Sequence, residues 1–458
     1  MDFDVAIIGG GSAGYAAASS AQSLGAKVAI IDPGPLGGLC ILKGCMPTKA
    51  ILRSSDIMAL MRRAKEFGIQ PVDAQAHLSA INDRKNKLIK EFADYRIEQL
   101  NSPRFTLIEE RAQFISPHEI QIGNKLLKAR SFIIATGSVI ANYSVPGLKE
   151  TGFVTSDDIL KMREAPDSII VLGAGAVAVE LAQFLLRIGV KVTLLQRSEH
   201  ILSKGDEDLA RPVESRFREE GMDLYTSTKI LRAKKKPEGS VIYFEHEGKE
   251  KKVRAQYILQ ALGRRPNTDN LQLESAKIET QKSCIPVDSK MKTNQPHIYA
   301  VGDVNGIHEV VHIAIQQGEI AGYNAINSEN ERELDNRLKA SVVFTDPGVA
   351  SVGLSEKECQ ANNIAYLTAS YSFDDHGKSM CLGEKHGHVK LLCNPVSGEV
   401  IGGHIVGPEA GELIHEIITL MHFRGTVKDM LAIPHYHPTL AEILTYPAEE
   451  LFDKLLSS

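Results

Sequence analysis

Residues 4–14 read Asp4-Val5-Ala6-Ile7-Ile8-Gly9-Gly10-Gly11-Ser12-Ala13-Gly14. A short buried strand over residues 4–8 runs directly into the glycines, and the small-residue run Tyr15-Ala16-Ala17-Ala18 opens a helix that lasts to about Leu24. Gly25 ends that helix, and residues 27–31 form the next strand, closing on Asp32, 23 residues after Gly9. Strand, G-x-G-x-x-G, helix, strand and acid is the order of a dinucleotide-binding unit. The glycines allow a tight turn and a close approach of a pyrophosphate to the helix N-terminus, while the acid accepts bonds from a ribose hydroxyl.

The same pattern returns at residues 168–178. Residues 169–172 form a strand, Gly173-Ala174-Gly175-Ala176-Val177-Ala178 is G-x-G-x-x-A, residues 180–188 form the helix, Gly189 stops it, and residues 191–195 are the next strand. An internal repeat of this kind implies two nucleotide sites and an α/β fold with two Rossmann-like domains. The second unit ends on Gln196-Arg197, with no acid where the first has Asp32. A carboxylate there would repel a 2′-phosphate, whereas Arg197 attracts one. NADP(H) is therefore favoured over NAD(H), the plain alternative being that Arg197 is only a solvated side chain.

Between the two fingerprints lies Gly37-Gly38-Leu39-Cys40-Ile41-Leu42-Lys43-Gly44-Cys45-Met46-Pro47-Thr48-Lys49. If a helix is entered near Leu42, the two thiols stand about one and a half turns apart, close enough for a disulfide if the first cysteine sits at the helix entry. A helix N-terminus also favours the thiolate. The alternative is a pair of core cysteines that are neighbours only in sequence. The other four cysteines, Cys284, Cys359, Cys381 and Cys393, are isolated, and no Cys/His grouping points to a zinc site. No metal is expected.

With 458 residues, several cores and two to four domains are expected. The 43% hydrophobic and 24% charged content is that of a soluble globular protein, and a formal charge of −5 is too mild to imply nucleic acid or an anionic membrane as partner. The start, Met1-Asp2-Phe3-Asp4, is acidic and leads straight into a strand, and no apolar run has membrane-spanning length. A cytoplasmic location is expected, where a disulfide is more often catalytic than structural.

The remaining segments read more weakly. Residues 51–95 carry helical periodicity and many charges; residues 105–122 alternate like a hairpin; residues 132–134 lead into Ala135-Thr136-Gly137-Ser138. Residues 257–262 close the second nucleotide domain, and Tyr299-Ala300-Val301-Gly302-Asp303 ends a strand on a carboxylate that can meet the ribityl chain or phosphates of a flavin nucleotide. From about Leu334 the pattern becomes α+β, with strands at 341–344, 351–353, 389–392 and 400–405 and helices at 411–423 and 439–456. His437 precedes the last helix, with Glu442 in its first turn. A carboxylate there orients the imidazole and raises its pKa, as a general acid–base requires; a purely structural histidine is the alternative, and the reading preferred for His435 and Tyr436.

Taken together, G-G-x-C-x4-C-x-P-x-K, two dinucleotide fingerprints, A-T-G-S, Y-A-x-G-D and H-P-T-x-x-E follow one another across essentially the whole chain. In that order they resemble the class I pyridine nucleotide–disulfide oxidoreductases, the family of lipoamide dehydrogenase, glutathione reductase and mercuric reductase. The resemblance implies FAD on the first fingerprint, NAD(P)H on the second and a C-terminal α+β dimerisation domain. Its domain plan is residues 1–145 and 263–333 for FAD, 146–262 for NAD(P) and 334–458 for the interface. It also implies a Cys40–Cys45 redox disulfide, with Cys45 the thiolate against the flavin and Cys40 the interchange thiol. By the same resemblance His437, oriented by Glu442, is the base and reaches the other subunit's active site in a homodimer. Lys49 matches a lysine near the flavin and Glu180 its ion-pair partner beside the nicotinamide. The implied cofactor-binding positions are Gly9, Gly11, Ser12, Gly14, Asp32, Gly38, Lys49, Ala112, Thr136, Gly137, Gly173, Gly175, Ala178, Arg197, Gly263, Gly302 and Asp303.

Departures from the family pattern narrow the substrate. Leu39 and Leu42 stand where a threonine and an asparagine are usual, and Ser19 and Ser20 stand where glutathione reductases carry arginines. No thiol follows Cys393, whereas mercuric reductases end in a cysteine pair. The equipment is closest to lipoamide dehydrogenase, and a small disulfide or dithiol, or a lipoyl domain, is the expected partner. The alternatives are an NADPH-dependent reductase of another disulfide or of mercuric ion, an NAD(P)H oxidase or quinone reductase, and a non-enzymatic flavin redox sensor.

Overall fold

A computed structural model describes residues 1–70 and 72–457. The chain forms two compact units: Met1–Ala50, Asp83–Asn142 and Gly263–Asp335 in one, and Ile51–Asn82, Tyr143–Leu262 and Asn336–Ser458 in the other.

The first unit is built on a parallel sheet in which Phe3–Ile8 lies between Val28–Ile31 and Lys125–Ile134, with Thr106–Ile108 and Ile298–Ala300 outside them. Both faces are covered over residues 5–8, 28–31 and 132–134, which is why those stretches are apolar at successive positions rather than at alternate ones. Successive side chains point to opposite faces. Val5 and Ile7 therefore join a cluster with Ala13, Ala17 and Ala21, while Ala6 and Ile8 pack with Phe114, Ile120 and Phe132 on the other side. Helix Ser12–Ser23 lies against helix Val311–Asn324. A Cβ at Gly318 or Gly322 would come within 2.3 Å of the carbonyl oxygen of Ala13 or Ala17, so the small residues set how closely these helices approach.

Within the stretch 105–122 a hairpin forms over residues 112–122, where Ala112–Ser116 pairs antiparallel with Glu119–Ile122. Thr106–Ile108 pairs in parallel with Val28–Ile31, and the antiparallel arm is Ala112–Ser116, Glu119–Ile122 and Lys125–Ile134. Alternation records which face is buried but not which neighbour a strand takes, so the hairpin was legible and the parallel partner of Thr106–Ile108 was not.

In the second unit, Ser168–Leu172 lies between Lys191–Leu195 and Tyr257–Gln260 in a second parallel sheet, followed at the edge by Asp223–Tyr225. Lys229–Lys236, Gly239–His246 and Lys249–Ala255 make an antiparallel ribbon. The C-terminal part is a five-stranded antiparallel sheet in the order Ala340–Val343, Gly348–Gly353, Val400–Gly407, His388–Cys393 and Leu367–Ser372, packed on helices Ala410–His422 and Thr445–Leu456. Leu367–Ser372 is a strand the sequence reading left out; its burial is mixed, as at a sheet edge. The last helix starts later than expected, at Thr445 after a 3-10 turn over Ala441–Leu444. Pro447 belongs in a first turn, where its missing N–H costs nothing, so the α-helix begins just ahead of it. Among the described residues no helix is long and apolar enough to cross a membrane.

Candidate functional site

The first fingerprint makes a cradle at the mouth of helix Ser12–Ser23. Gly9 has φ +112°, and a Cβ there would lie 2.4 Å from the Ala135 carbonyl oxygen. A Cβ at Gly14 would lie 1.8 Å from the Gly9 carbonyl oxygen, so both glycines are demanded by packing. Gly11 precedes the helix without a side-chain cap, which leaves the amides of its first turn to a ligand. Gly38, with φ +75°, comes so close that its Cβ would be 2.7 Å from the Gly11 Cα. The Asp32 carboxylate accepts the amides of Gly10 at 2.7 Å and Gly34 at 2.8 Å, and each oxygen keeps a lone pair for a ribose hydroxyl. A diphosphate-bearing dinucleotide such as FAD fits this donor set: uncapped amides for the phosphates, a carboxylate for the sugar.

Around that cradle the structure ties together segments far apart in the chain. Asn267 binds the Thr136 carbonyl through Nδ2 and the Gly137 carbonyl through its own amide, while Thr136 Oγ1 donates to the Asn267 carbonyl. Ser138 Oγ donates to Asp303 at 2.6 Å and accepts from Arg264 Nε at 2.8 Å, fixing the carboxylate that ends the strand Ile298–Ala300. Gly302, with φ +75°, gives its amide to buried Gln317. Gly263, with φ +132°, accepts from the Ala141 amide, and Ala112 is buried in the antiparallel arm opposite Ile122. Ser138, Arg264, Asn267 and Gln317 were not singled out from sequence. Polar residues at strand ends carry no periodic signal, and only their meeting reveals them.

The two thiols occupy different helices. Cys40 lies in the short helix Gly38–Leu42, Lys43 and Gly44 break the path, and Cys45 is the first residue of helix Cys45–Arg63. The single helix entered near Leu42 is corrected to this arrangement. A Cβ at Gly44 would lie 3.0 Å from the Leu39 carbonyl oxygen, so the chain doubles back tightly there. Pro47 falls in the new helix's first turn, and Thr48 Oγ1 bonds back to the Gly44 and Cys45 carbonyls at 2.9 and 3.0 Å. Both cysteines are free thiols joined by a side-chain hydrogen bond. Donation to Cys45, then burial, then the Cys45 charge push the Cys40 thiol well above the ordinary thiol range, with the Lys49 ammonium acting in the opposite sense.

In the second unit Gly173, with φ +95°, would place a Cβ 2.6 Å from the Ala261 carbonyl oxygen. At Gly175 a Cβ would meet nothing within 4 Å, so packing within the chain does not require glycine there. Ala178 is buried in the helix Ala176–Arg187. One face of that helix is polar and buried. Glu180 accepts the Phe344 amide at 2.9 Å, Gln183 exchanges two 2.8 Å bonds with the backbone of Asp346, and Arg187 pairs with Asp56, Glu220 and Asp346. Gln196 is turned inward, accepting the Arg197 amide at 3.1 Å and donating to the His200 carbonyl, while Arg197 is exposed.

His437 Nδ1 lies 2.8 Å from Glu442 Oε1, and Glu442 Oε2 accepts the Thr439 amide at 2.7 Å. A carboxylate can only accept, which puts the proton on Nδ1 and leaves the Nε2 lone pair as the base. The Thr439 amide, then His437, hold the Glu442 carboxyl below its usual range. The His437 side chain is 83% exposed, so it is oriented but uncovered within its own chain. His435, by contrast, is buried between Glu416 and the Ile433 carbonyl. Cys40 with Cys45 and His437 with Glu442 are brought together as pairs; the thiol pair and Lys49 belong to one unit, the imidazole pair and Glu180 to the other. Near His435, an open cavity of about 630 Å³ runs along Glu416, Leu420, Phe423 and Ile433, with Phe423 77% and Tyr436 82% exposed. Among the described residues no group of three or more His, Cys, Asp or Glu side chains could hold a metal.

A family model described as pyridine nucleotide-disulphide oxidoreductase matches residues 3–318, and its dimerisation-domain companion matches residues 339–448. The chain is 32% identical over 458 residues to the mercuric reductase of Staphylococcus aureus, covering 100% of this chain and 83% of the relative. It is 31% identical over 446 residues to a dihydrolipoyl dehydrogenase of Bacillus subtilis (strain 168), covering 96% of each. Among solved structures, LpdA from Mycobacterium tuberculosis superposes with a TM-score of 0.87 at 27% identity, over 98% of this chain and 99% of that one.

Proposed function

This chain belongs to the pyridine nucleotide–disulphide oxidoreductases, FAD enzymes that act on sulfur groups with NAD(P)H and pair through a dimerisation domain, and on that premise we propose a dihydrolipoyl dehydrogenase-like oxidoreductase of a small thiol or disulfide. The observation that carries this reading is the Cys40–Cys45 pair, held by one hydrogen bond at the head of a 19-residue helix. In the direction of disulfide reduction, His437 of the partner subunit takes the Cys40 proton on Nε2. The Cys40 sulfur attacks one substrate sulfur, the substrate S–S bond breaks, and the departing thiolate recovers that proton. Cys45 then attacks the Cys40 sulfur of the mixed disulfide, releasing the second thiolate to be protonated by water and leaving Cys40–Cys45 oxidised. FAD, held by residues 1–145 and 263–333, supplies the two-electron route between the nicotinamide and this pair.

In this reading residues 146–262 hold the nicotinamide coenzyme and residues 334–458 form the interface. NADP(H) is favoured because Gln196 is neutral and turned inward while Arg197 stands free to meet a 2′-phosphate. A steady-state panel of NADH and NADPH against lipoamide, glutathione disulfide and a quinone tests the proposal. Disulfide-dependent oxidation, faster with NADPH, is expected. Consumption by the quinone with both disulfides inert would refute it.

A further inference from the structure

The strand Ile298–Ala300 ends in a 3-10 turn, Gly302–Asn305, that carries Asp303. Two buried side-chain amides hold this turn from behind. Gln317, on helix Val311–Asn324, has no exposed surface, and its Oε1 accepts the Gly302 amide at 2.7 Å and Asn305 Nδ2 at 2.9 Å. Asn305, itself buried, also donates to the Ala300 carbonyl at 3.1 Å and accepts the Ile307 amide through Oδ1 at 3.0 Å. The Gln317 nitrogen Nε2 is buried with no partner. Turning that amide over would set the nitrogen against two donors, the Gly302 N–H and the Asn305 amino group, so the network fixes where the oxygen lies. The position therefore uses an acceptor and leaves the donor of the same group idle. At Gly302 an added Cβ would lie 3.5 Å from the Cβ atoms of both Ala13 and Ala314, so the turn is packed against the first helix and against helix Val311–Asn324. Gly318, next to Gln317, is where a Cβ would run into the Ala13 carbonyl oxygen, so Gln317 enters from a close contact of those two helices.

We propose that Gln317 is a positioning residue for the flavin nucleotide: its oxygen sets the Gly302–Asn305 turn, and through that turn the direction in which the Asp303 carboxylate meets FAD. The inference rests on FAD occupying the first unit, to which Gln317, Asn305 and Asp303 all belong. Ser138 fixes the carboxylate itself at 2.6 Å, but a carboxylate is only as well placed as the backbone that bears it. Without the Gln317 oxygen, the Gly302 N–H and one N–H of Asn305 are left buried and unpaired. Such donors are costly and are normally satisfied, so the turn must shift toward other acceptors and carry Asp303 with it.

Flavin release from the diluted holoenzyme, followed by the rise of free-flavin fluorescence, reads the FAD dissociation constant without reference to turnover. Gln317→Leu, of similar volume but with no acceptor, should weaken FAD binding by about 10-fold or more, the cost of a buried donor left unpaired. Gln317→Glu keeps the acceptor oxygens and should bind FAD more tightly than Gln317→Leu by about 5-fold or more. Asn324→Leu is the control. Asn324 lies two turns further along the same helix, is as deeply buried, and bonds the backbone of Lys290 and Arg332 rather than the turn. It should lower the melting temperature and leave FAD affinity unchanged. Should Gln317→Leu fail to fold, Asn305→Asp sets a carboxylate oxygen against the Gln317 oxygen at constant shape, and it should weaken FAD binding by a comparable factor. The parent's affinity in Gln317→Leu, or in Asn305→Asp where that variant is read, overturns the proposal. So does a Gln317→Glu protein no better than Gln317→Leu, or an Asn324→Leu protein just as weak. A parent protein that holds no FAD would remove the FAD assignment itself, and the inference with it.

Discussion

Replacing Gly14 with alanine sets two physical effects against each other at one atom. In a helix, alanine is better than glycine by about 1 kcal/mol, so propensity alone predicts a more stable protein. The structure predicts the reverse. The added Cβ would lie 1.8 Å from the Gly9 carbonyl oxygen and 3.3 Å from Ile7 Cγ2. A C···O contact is normally about 3.3 Å or more, so the helix mouth and the glycine turn must separate by roughly 1.5 Å. Overpacking of this severity costs about 3 kcal/mol, and the propensity gain offsets only about a third of it. The net expectation is a loss of roughly 2 kcal/mol. The same displacement moves the first-turn amides proposed to meet the pyrophosphate, and misplacement on the scale of 1 Å costs on the order of 10²-fold where geometry is critical. Flavin absorbance per mole of purified protein, and thermal melting with and without added FAD, measure both consequences. Gly377→Ala is the control, since a Cβ there meets nothing within 4 Å and the position heads a short helix; it should melt no lower than the parent. A Gly14→Ala protein that keeps its full flavin content and melts higher would refute the packing argument.

Cys40→Ser should abolish disulfide turnover yet leave a thiolate-to-flavin absorbance band from Cys45; normal turnover would remove the assigned roles. His437→Gln should slow thiol–disulfide turnover by about 10²–10⁴-fold, the usual contribution of a positioned base, and a near-normal rate would place the base elsewhere. Arg197→Glu should shift preference toward NADH, which paired initial rates with the two coenzymes would show, and an unaltered NADPH/NADH ratio would discard the 2′-phosphate argument. In the second unit, buried Lys390 binds Asp206 at 2.8 Å and Asp208 at 3.0 Å. Burial pushes both carboxyls up, but bonds from Lys390, joined by His388 at Asp208 and by backbone amides at Asp206, outweigh it and hold them below the usual range. A depressed folded-state pKa contributes stability above about pH 4 that is lost as pH falls through the folded values. Lys390 also binds Glu356 at 3.0 Å, so Lys390→Met leaves three carboxylates facing one another. It should cost roughly 2–4 kcal/mol at neutral pH, below the full buried-pair loss because Asp208 stays 41% exposed. Protonation relieves that repulsion, so the melting gap between variant and parent should narrow at about pH 5; an equal gap at both pH values would contradict the assignment.

The local signals in this chain read well wherever one stretch contains its own constraint. Gly14 is needed by contacts with Gly9 and Ile7 within its own βαβ unit, which a spacing pattern records, whereas Gly9 and Gly173 are held to glycine by the Ala135 and Ala261 carbonyls from distant segments. His437 and Glu442 lie five residues apart and find each other at 2.8 Å through one local turn. Readings fell short where pairing or a break in the chain path leaves no periodic trace. Residues 105–122 alternate like a hairpin and residues 112–122 form one, but Thr106–Ile108 stands outside it and pairs in parallel with Val28–Ile31. Cys40 and Cys45 were expected along one helix, and Gly44 doubling back against Leu39 and Cys40 divides them between two.

By itself the sequence determined the two nucleotide folds, the thiol pair and the imidazole–carboxylate pair, because each is encoded by turn chemistry and side-chain period over a few residues. Only the tertiary structure decided that Asp303 is fixed by Ser138 and Arg264, and that Glu180 accepts the Phe344 amide. It alone decided that Gln317 is carried to the Gly302 amide and Asn305 with its own N–H left unpaired. Those partners come from strand ends and helix faces whose meeting depends on sheet order and close helix packing, quantities that no window of sequence contains.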